Sequence, residues 1–118
     1  MKDCIFCKIS KGEIPDERIY ESENFFSVWD IHPAVNGHTI VISKKHFDNF
    51  LELPSELASE MNNCVKETCK ILIQKLSVDG FNISTNVHEA GEQAIKHLHV
   101  HIFPRENNDG VTLNFHKK

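Results

Sequence analysis

His97-Leu98-His99-Val100-His101-Ile102-Phe103 alternates imidazole with apolar side chains. Alternation with a period of two reads as a β-strand, in which residues i, i+2 and i+4 share a face. His97, His99 and His101 then stand in one column, while Leu98, Val100 and Ile102 turn the other way and pack under another element. Three imidazoles along one face offer donors and acceptors to a single extended ligand. A neutral imidazole nitrogen is also a nucleophile, and its ordinary pKa of about 6.5 leaves it largely unprotonated at neutral pH. Two other readings of the column remain open: a merely polar exposed face, and a metal site made of two or three of the histidines.

Outward from this strand, which Pro104 is expected to end, the pattern is β-β-β-α-β-β. Glu17 to Glu21 and Asn24 to Ile31 read as an antiparallel hairpin across a short polar break. His32 to Gly37 reads as a loop, and His38 to Ser43, rich in Thr, Ile and Val, as the third strand. A short helix is expected over His46 to Leu51. A long one is expected from about Pro54 to Leu76, because Leu57, Met61, Cys64, Val65, Thr68, Leu72 and Leu76 fall on one face. Phe81 to Asn86 is the fourth strand and His97 to Phe103 the fifth. The lack of regular strand–helix alternation argues against a doubly wound parallel sheet. The expected fold is α+β: a mostly antiparallel five-stranded sheet with one long and one short helix, forming a single domain over residues 1–118.

The 118 residues suffice for one core, and 40% of them are hydrophobic. No apolar run approaches the ~20 residues that cross a bilayer. The first residues, Met1-Lys2-Asp3-Cys4, lack a hydrophobic signal region, so a cytoplasmic location and no membrane partner are expected. A net charge of -4 argues against a nucleic-acid partner, which needs a basic surface. It leaves room for a small phosphate ligand held by local groups. In a reducing cytosol the four cysteines are not structural disulfides. The pair Cys4-x-x-Cys7 is then a metal site, a redox pair or two free thiols.

The motif His97-Leu98-His99-Val100-His101-Ile102-Phe103 resembles that of the histidine triad, or HIT, family. Further landmarks follow in order: Cys4 to Ile9, Gly12-Glu13-Ile14-Pro15, Asp30-Ile31-His32-Pro33, Gly37 to Ile42, Lys45-His46, Gln93 and Pro104-Arg105. The resemblance covers nearly the whole chain and implies a nucleotide hydrolase or transferase acting at an α-phosphate. Nucleoside phosphoramidases and dinucleoside polyphosphate hydrolases are the similar branches. It implies that His99 is the nucleophile of a nucleotidyl-histidine intermediate, that His101 binds the α-phosphate, that the His97 carbonyl fixes the His99 tautomer, and that Gln93 lies near the phosphate or leaving group. It implies a purine nucleotide pocket with Asp30 on the ribose hydroxyls, Ile31 beside it, Ile5, Phe6, Ile9 and Val28 around the base, and Asn86 near the phosphate. For Asp30 a plain turn-capping role is the competing reading. It also implies a structural zinc held by Cys4, Cys7, His46 and His97, and a homodimer with one continuous sheet. His38 reads as a loop brace. His88 and His116 read as surface residues.

Three positions depart from the pattern. Glu92 stands where a glycine is usual, Ala94 where a hydroxyl is usual, and His88 at another usual glycine. The first two predict a working nucleophile with reduced or altered phosphoramidase activity, which Glu92→Gly and Ala94→Ser should raise. They also keep open a HIT-fold nucleotide-binding or scaffold protein with weak or vestigial catalysis. A hydrolase with its metal on the three histidines lacks a nearby acidic partner, since the next carboxylate is Glu106.

Overall fold

The hairpin comes first. In the structure, a computed structural model that describes residues 4–113, β1 (Arg18–Glu21) and β2 (Phe25–Trp29) pair antiparallel across the expected break. β3 (Thr39–Ser43), β4 (Gly80–Ser84) and β5 (His99–Arg105) complete a five-stranded sheet in the order β1-β2-β3-β5-β4, antiparallel throughout. A six-residue helix, α1 (Ile5–Ser10), precedes it, and α2 (Ala58–Lys75) lies between β3 and β4. The fold is α+β.

Side-chain alternation divides the core into two layers. Phe25, Val41, Val100 and Ile102 join Met61, Cys64, Val65 and Leu72 of α2 in one cluster. Phe26, Val28, Ile40 and Ile42 face the other way and pack with Phe6 of α1. Met61, Cys64, Val65, Thr68 and Leu72 are the buried stripe of α2 at spacings of three and four. One polar contact crosses the first layer, where the Ser27 and Thr68 hydroxyls meet at 2.8 Å and Thr68 also donates to the Cys64 carbonyl. Both polar side chains are thereby satisfied inside the core.

Several expected boundaries differ. The stretch 46–51 is not a helix; only a 3₁₀ turn, Phe50–Glu52, forms there, capped by Asn49. His46 and Asp48 bond to each other instead. Pro54 begins a 3₁₀ turn, Ser55–Leu57, so α2 itself starts at Ala58 and ends at Lys75. Pro104 does not end β5. The Arg105 carbonyl accepts from Asp79 on the β4 side, so Pro104 turns its nitrogen toward β3, whose pairing stops at Thr39↔Ile102. A proline costs no ladder bond at such a place. His97 lies just before β5 rather than in it. Its N–H donates to the Ile95 carbonyl, and the next N–H, of Leu98, to that of Phe47.

Gly37 has φ +83°, and a Cβ there would collide with the Leu76 side chain. The turn that delivers His38 to the start of β3 therefore requires glycine. His116 lies outside the described residues. Among those described, no helix is long and apolar enough to cross a membrane.

Candidate active site and metal-capable cluster

The face of β3 and β5 opposite α2 carries the imidazoles. Antiparallel register sets His99 against Ile42 and His101 against Ile40. Phe6 of α1 meets the His99 ring edge-on at 4.9 Å between centroids. A cavity of about 380 Å³ opens above these residues, a ligand-sized volume. Ile5, Phe6 and Ile9 form one wall, Val28 to His32 another, and His99 and His101 the floor, with Glu92, Ala94 and Ile95 closing the remaining side.

Backbone partners fix the protons on these rings. His99 Nδ1 lies 2.7 Å from the His97 carbonyl, which can only accept. Nδ1 therefore carries the hydrogen, and Nε2 keeps its lone pair. Burial holds the His99 pKa below the usual imidazole value, so the neutral ring dominates at neutral pH. His38 has the opposite tautomer. Its Nδ1 accepts from the Ala34 N–H at 3.1 Å, so its hydrogen sits on Nε2. That Nε2 lies 3.0 Å from His101 Nδ1 and 3.4 Å from Asp30 Oδ2. His101 Nδ1 must then accept, which leaves the His101 hydrogen on Nε2. Burial pushes the His101 pKa down to about 4, with His99 and His38 adding to the effect and Asp30 opposing it. His38 is likewise lowered, chiefly by burial.

Asp30 does two things. Its Oδ1 accepts from the His32 N–H at 2.8 Å, the turn cap expected as the competing reading. Its Oδ2 faces His38, and the residue also lines the cavity.

The second cluster sits at the N-terminal end of α1. Cys4 caps that helix, and its sulfur accepts from the Cys7 N–H. The ligand atoms of Cys4, Cys7, His46 and His97 all lie within 4.8 Å of one another and could hold a metal ion. His97 Nδ1 is 3.2 Å from Cys4 Sγ and 3.5 Å from Cys7 Sγ, and His46 Nδ1 is 3.3 Å from Cys7 Sγ. Tetrahedral zinc with Zn–S of about 2.3 Å and Zn–N of about 2.0–2.1 Å sets sulfur and nitrogen about 3.5 Å apart. The far side of each ring agrees: His97 Nε2 donates to the Ser43 carbonyl at 2.7 Å, and His46 Nε2 to Asp48 Oδ1 at 2.9 Å. Both lone pairs therefore point at the thiols, the arrangement typical of metal-bound histidine. The Cys4-x-x-Cys7 pair stands at a helix N-terminus. Yet burial, with the Cys4 thiol adding to it, pushes the Cys7 thiol up rather than down, which opposes a reactive redox cysteine.

The HIT domain family model matches residues 11–108. The chain belongs to the HIT family. An uncharacterised HIT-like protein of Methanocaldococcus jannaschii is 42% identical over 95% of this chain and 86% of its own length. An adenylylsulfatase of Arabidopsis thaliana is 34% identical over 91% of this chain and 54% of its own. An adenosine 5'-monophosphoramidase of Candida albicans is 33% identical over 88% and 71%. A crystal structure from Streptococcus mutans superposes with a TM-score of 0.89 at 36% identity, covering 100% of this chain and 75% of that one. Nucleotide hydrolysis is thus an activity of the HIT family.

The HIT cavity brings together Ile5, Phe6, Ile9, Val28, Asp30, Ile31, His99 and His101 from the expected set. Gln93 and Asn86 are not among the residues that line it. The Gln93 side chain donates to the Asp48 and Ile95 carbonyls at 2.6 and 3.0 Å and accepts from the His88 N–H at 2.9 Å. Asn86 donates to the Glu92 carbonyl at 3.1 Å. Both brace the segment that leads into β5. His38 is the residue that sequence reasoning underrated. Its contact with His101 depends on how β3 and β5 are placed side by side, which the sequence does not announce.

Proposed function

We propose that this HIT protein is a nucleotide hydrolase that attacks the α-phosphate of a nucleotide conjugate and releases a nucleoside monophosphate. The observation that carries the reading is the His97 carbonyl on His99 Nδ1, which leaves a lone pair at Nε2 on the cavity floor. The nucleoside lies between α1 and the end of β2, its ribose diol on Asp30 and its base, a purine, on Ile5, Phe6, Ile9, Val28 and Ile31. His99 Nε2 attacks phosphorus as the bond to the leaving group breaks. The leaving group departs with the bonding pair and takes a proton from solvent; water then cleaves the nucleotidyl-histidine bond and gives up a proton to solvent. His101 donates its Nε2 hydrogen to a phosphoryl oxygen, where negative charge grows. Gln93 and Asn86 act by holding the 86–95 segment in place.

Zinc fits the Cys4, Cys7, His46 and His97 set and would be structural, since four protein ligands leave no open position. It would tie α1 to the residue two before the nucleophile. A reducing, cytoplasmic setting suits thiolates held this way. Two copies pair along α2 and the outer edge of β4. Ile83 is 53% exposed on that edge, beside Met61, Val65 and Val100 in a shallow groove.

Glu92 and Ala94 in the cavity favour one second reading, nucleotide binding with vestigial catalysis. Incubation with an adenosine phosphoramidate and a diadenosine polyphosphate separates the two. The hydrolase reading predicts AMP release by the wild type and none by His99→Ala. No turnover by either, with AMP bound by both, would leave only nucleotide binding.

A further inference from the structure

We propose that zinc at Cys4, Cys7, His46 and His97 and a nucleotide in the adjoining cavity strengthen each other's binding, because that cluster ties together both walls and the floor of the cavity. The coupling rests on the hydrolase reading above and makes metal occupancy a regulator of the same site.

Three stretches far apart in sequence meet at the four ligand atoms. The first is α1. Cys4 and Cys7 contribute to the cluster, while Ile5, Phe6 and Ile9 line the cavity. A six-residue helix does not hold its shape alone, since isolated helices under about 12 residues are marginal in water. Its C-terminal end is held by Arg18, which donates to the Ile9 and Ser10 carbonyls at 3.0 and 3.4 Å, and by the Ser10 hydroxyl on the Lys44 carbonyl. At its N-terminal end the two thiols meet His46 and His97, and the Phe6 ring stands edge-on to both His97 and His99, at 5.8 and 4.9 Å between centroids.

The second stretch is 46–48. His46 faces the Cys7 thiol and gives its other nitrogen's hydrogen to Asp48 Oδ1. The Asp48 carbonyl accepts from the Gln93 side chain at 2.6 Å, and Gln93 Oε1 accepts from the His88 N–H at 2.9 Å. Gln93 thereby fastens the opposite wall, where Glu92, Ala94 and Ile95 line the cavity. The third stretch is His97 itself. One ring nitrogen faces the thiols, the other donates to the Ser43 carbonyl, and the His97 carbonyl holds His99 Nδ1 on the cavity floor.

Between the side chains themselves, these stretches are joined at the cluster by sulfur–nitrogen contacts of 3.2 to 3.5 Å, and thiols are weak hydrogen-bond partners. Metal coordination is far stronger, and its free energy goes into ordering the chain that carries the ligands. A nucleotide needs the same walls in the same places. Whichever binds first orders them, and the second then loses less conformational entropy. Such coupling is reciprocal by thermodynamic necessity.

The test begins with AMP titrated calorimetrically into zinc-loaded protein and into the same protein stripped by a chelator. The loaded form should bind AMP more tightly by about fivefold or more, a typical coupling between two sites. Zinc affinity, read by competition with a coloured chelator, should rise by the same factor when AMP saturates the protein. Hydrogen exchange without nucleotide locates the effect: zinc removal should speed exchange over residues 5–10 and 86–95 and leave β2 and α2 protected. Loss of protection across the whole chain would show that the metal only holds the fold, and would overturn the proposal. Gln93→Met should keep its zinc and lose much of the coupling; an unchanged factor would overturn the link assigned to Asp48 and Gln93. Equal AMP affinity in loaded and stripped protein would overturn the coupling and leave the hydrolase reading intact. AMP bound by neither form would remove the nucleotide reading and the coupling together.

Discussion

Two clusters in this protein look alike by composition and differ in what they can do. Cys4, Cys7, His46 and His97 lie at the start of α1; Asp30, His38 and His101 lie at the edge of the cavity. Each brings three or more metal-capable side chains together. The difference is in the backbone behind the rings. His97 and His46 each give an Nε2 hydrogen to an oxygen, so Nδ1 points a lone pair at the thiols. His38 receives a backbone N–H on Nδ1, which forces its hydrogen onto Nε2, the atom that faces Asp30 and His101. A metal at that place would have to displace the Ala34 contact. The first cluster could hold a cation, whereas the second aims an Nε2 hydrogen from His38 at Asp30 and His101. Residue type alone does not separate them; the partner on the far nitrogen does.

The largest effect should come from breaking the first cluster. Cys7→Ser, or a strong chelator, is expected to lower the melting temperature by about 10 °C or more, because metal binding is coupled to folding. Metal analysis should find one zinc per chain in the wild type and none in the variant. A metal-free wild type indifferent to chelator would remove the distinction between the clusters.

Next comes the second cluster. His38→Ala should leave zinc content unchanged and lower kcat/KM for AMP release by about 10- to 100-fold, a typical scale for a group that aids proton placement. Equal loss of zinc in that variant would show that the two clusters are not separate devices.

Acid should sharpen the contrast by a smaller amount. The folded His101 pKa, near 4, lies below the unfolded value of about 6.5. Between those values the unfolded chain binds the proton and the folded chain does not, so stability is full above about pH 6.5 and falls as the pH drops toward 4. Urea midpoints measured across this range should show that slope, and His101→Gln should flatten part of it.

The smallest effects concern backbone strain beside the cavity. His88 and Glu92 both have φ of 64°. His88→Gly and Glu92→Gly should each stabilise the fold by about 1 kcal/mol, read as a rise in the urea midpoint.

Much of this was legible in the sequence because it follows from local periods. The His99 and His101 column, the helical stripe from Met61 to Leu72, and the hairpin all follow from spacings of two and of three to four. The usual glycines at 88 and 92 also have a visible cause, since both positions adopt positive φ. What stayed hidden depends on contacts distant in sequence. α1 is only six residues long, and Cys4, its cap, reads first as a metal ligand. The stretch 46–51 looks helical, but His46 and Asp48 are tied to each other beside the thiols. Gln93 bonds to a carbonyl 45 residues away, which no local pattern announces. Nor does sequence give strand register, which is why His38 read as a brace.

Attack on phosphorus by His99 Nε2 would leave a transient nucleotidyl group on that ring. A phosphoramidate reaction quenched within the first turnover and examined by intact-mass and peptide analysis tests it most directly. The expected result is one adenylyl group on the wild-type chain, located at His99 and lost as AMP appears. AMP release with no adduct at any time, or an adduct on another residue, would contradict it.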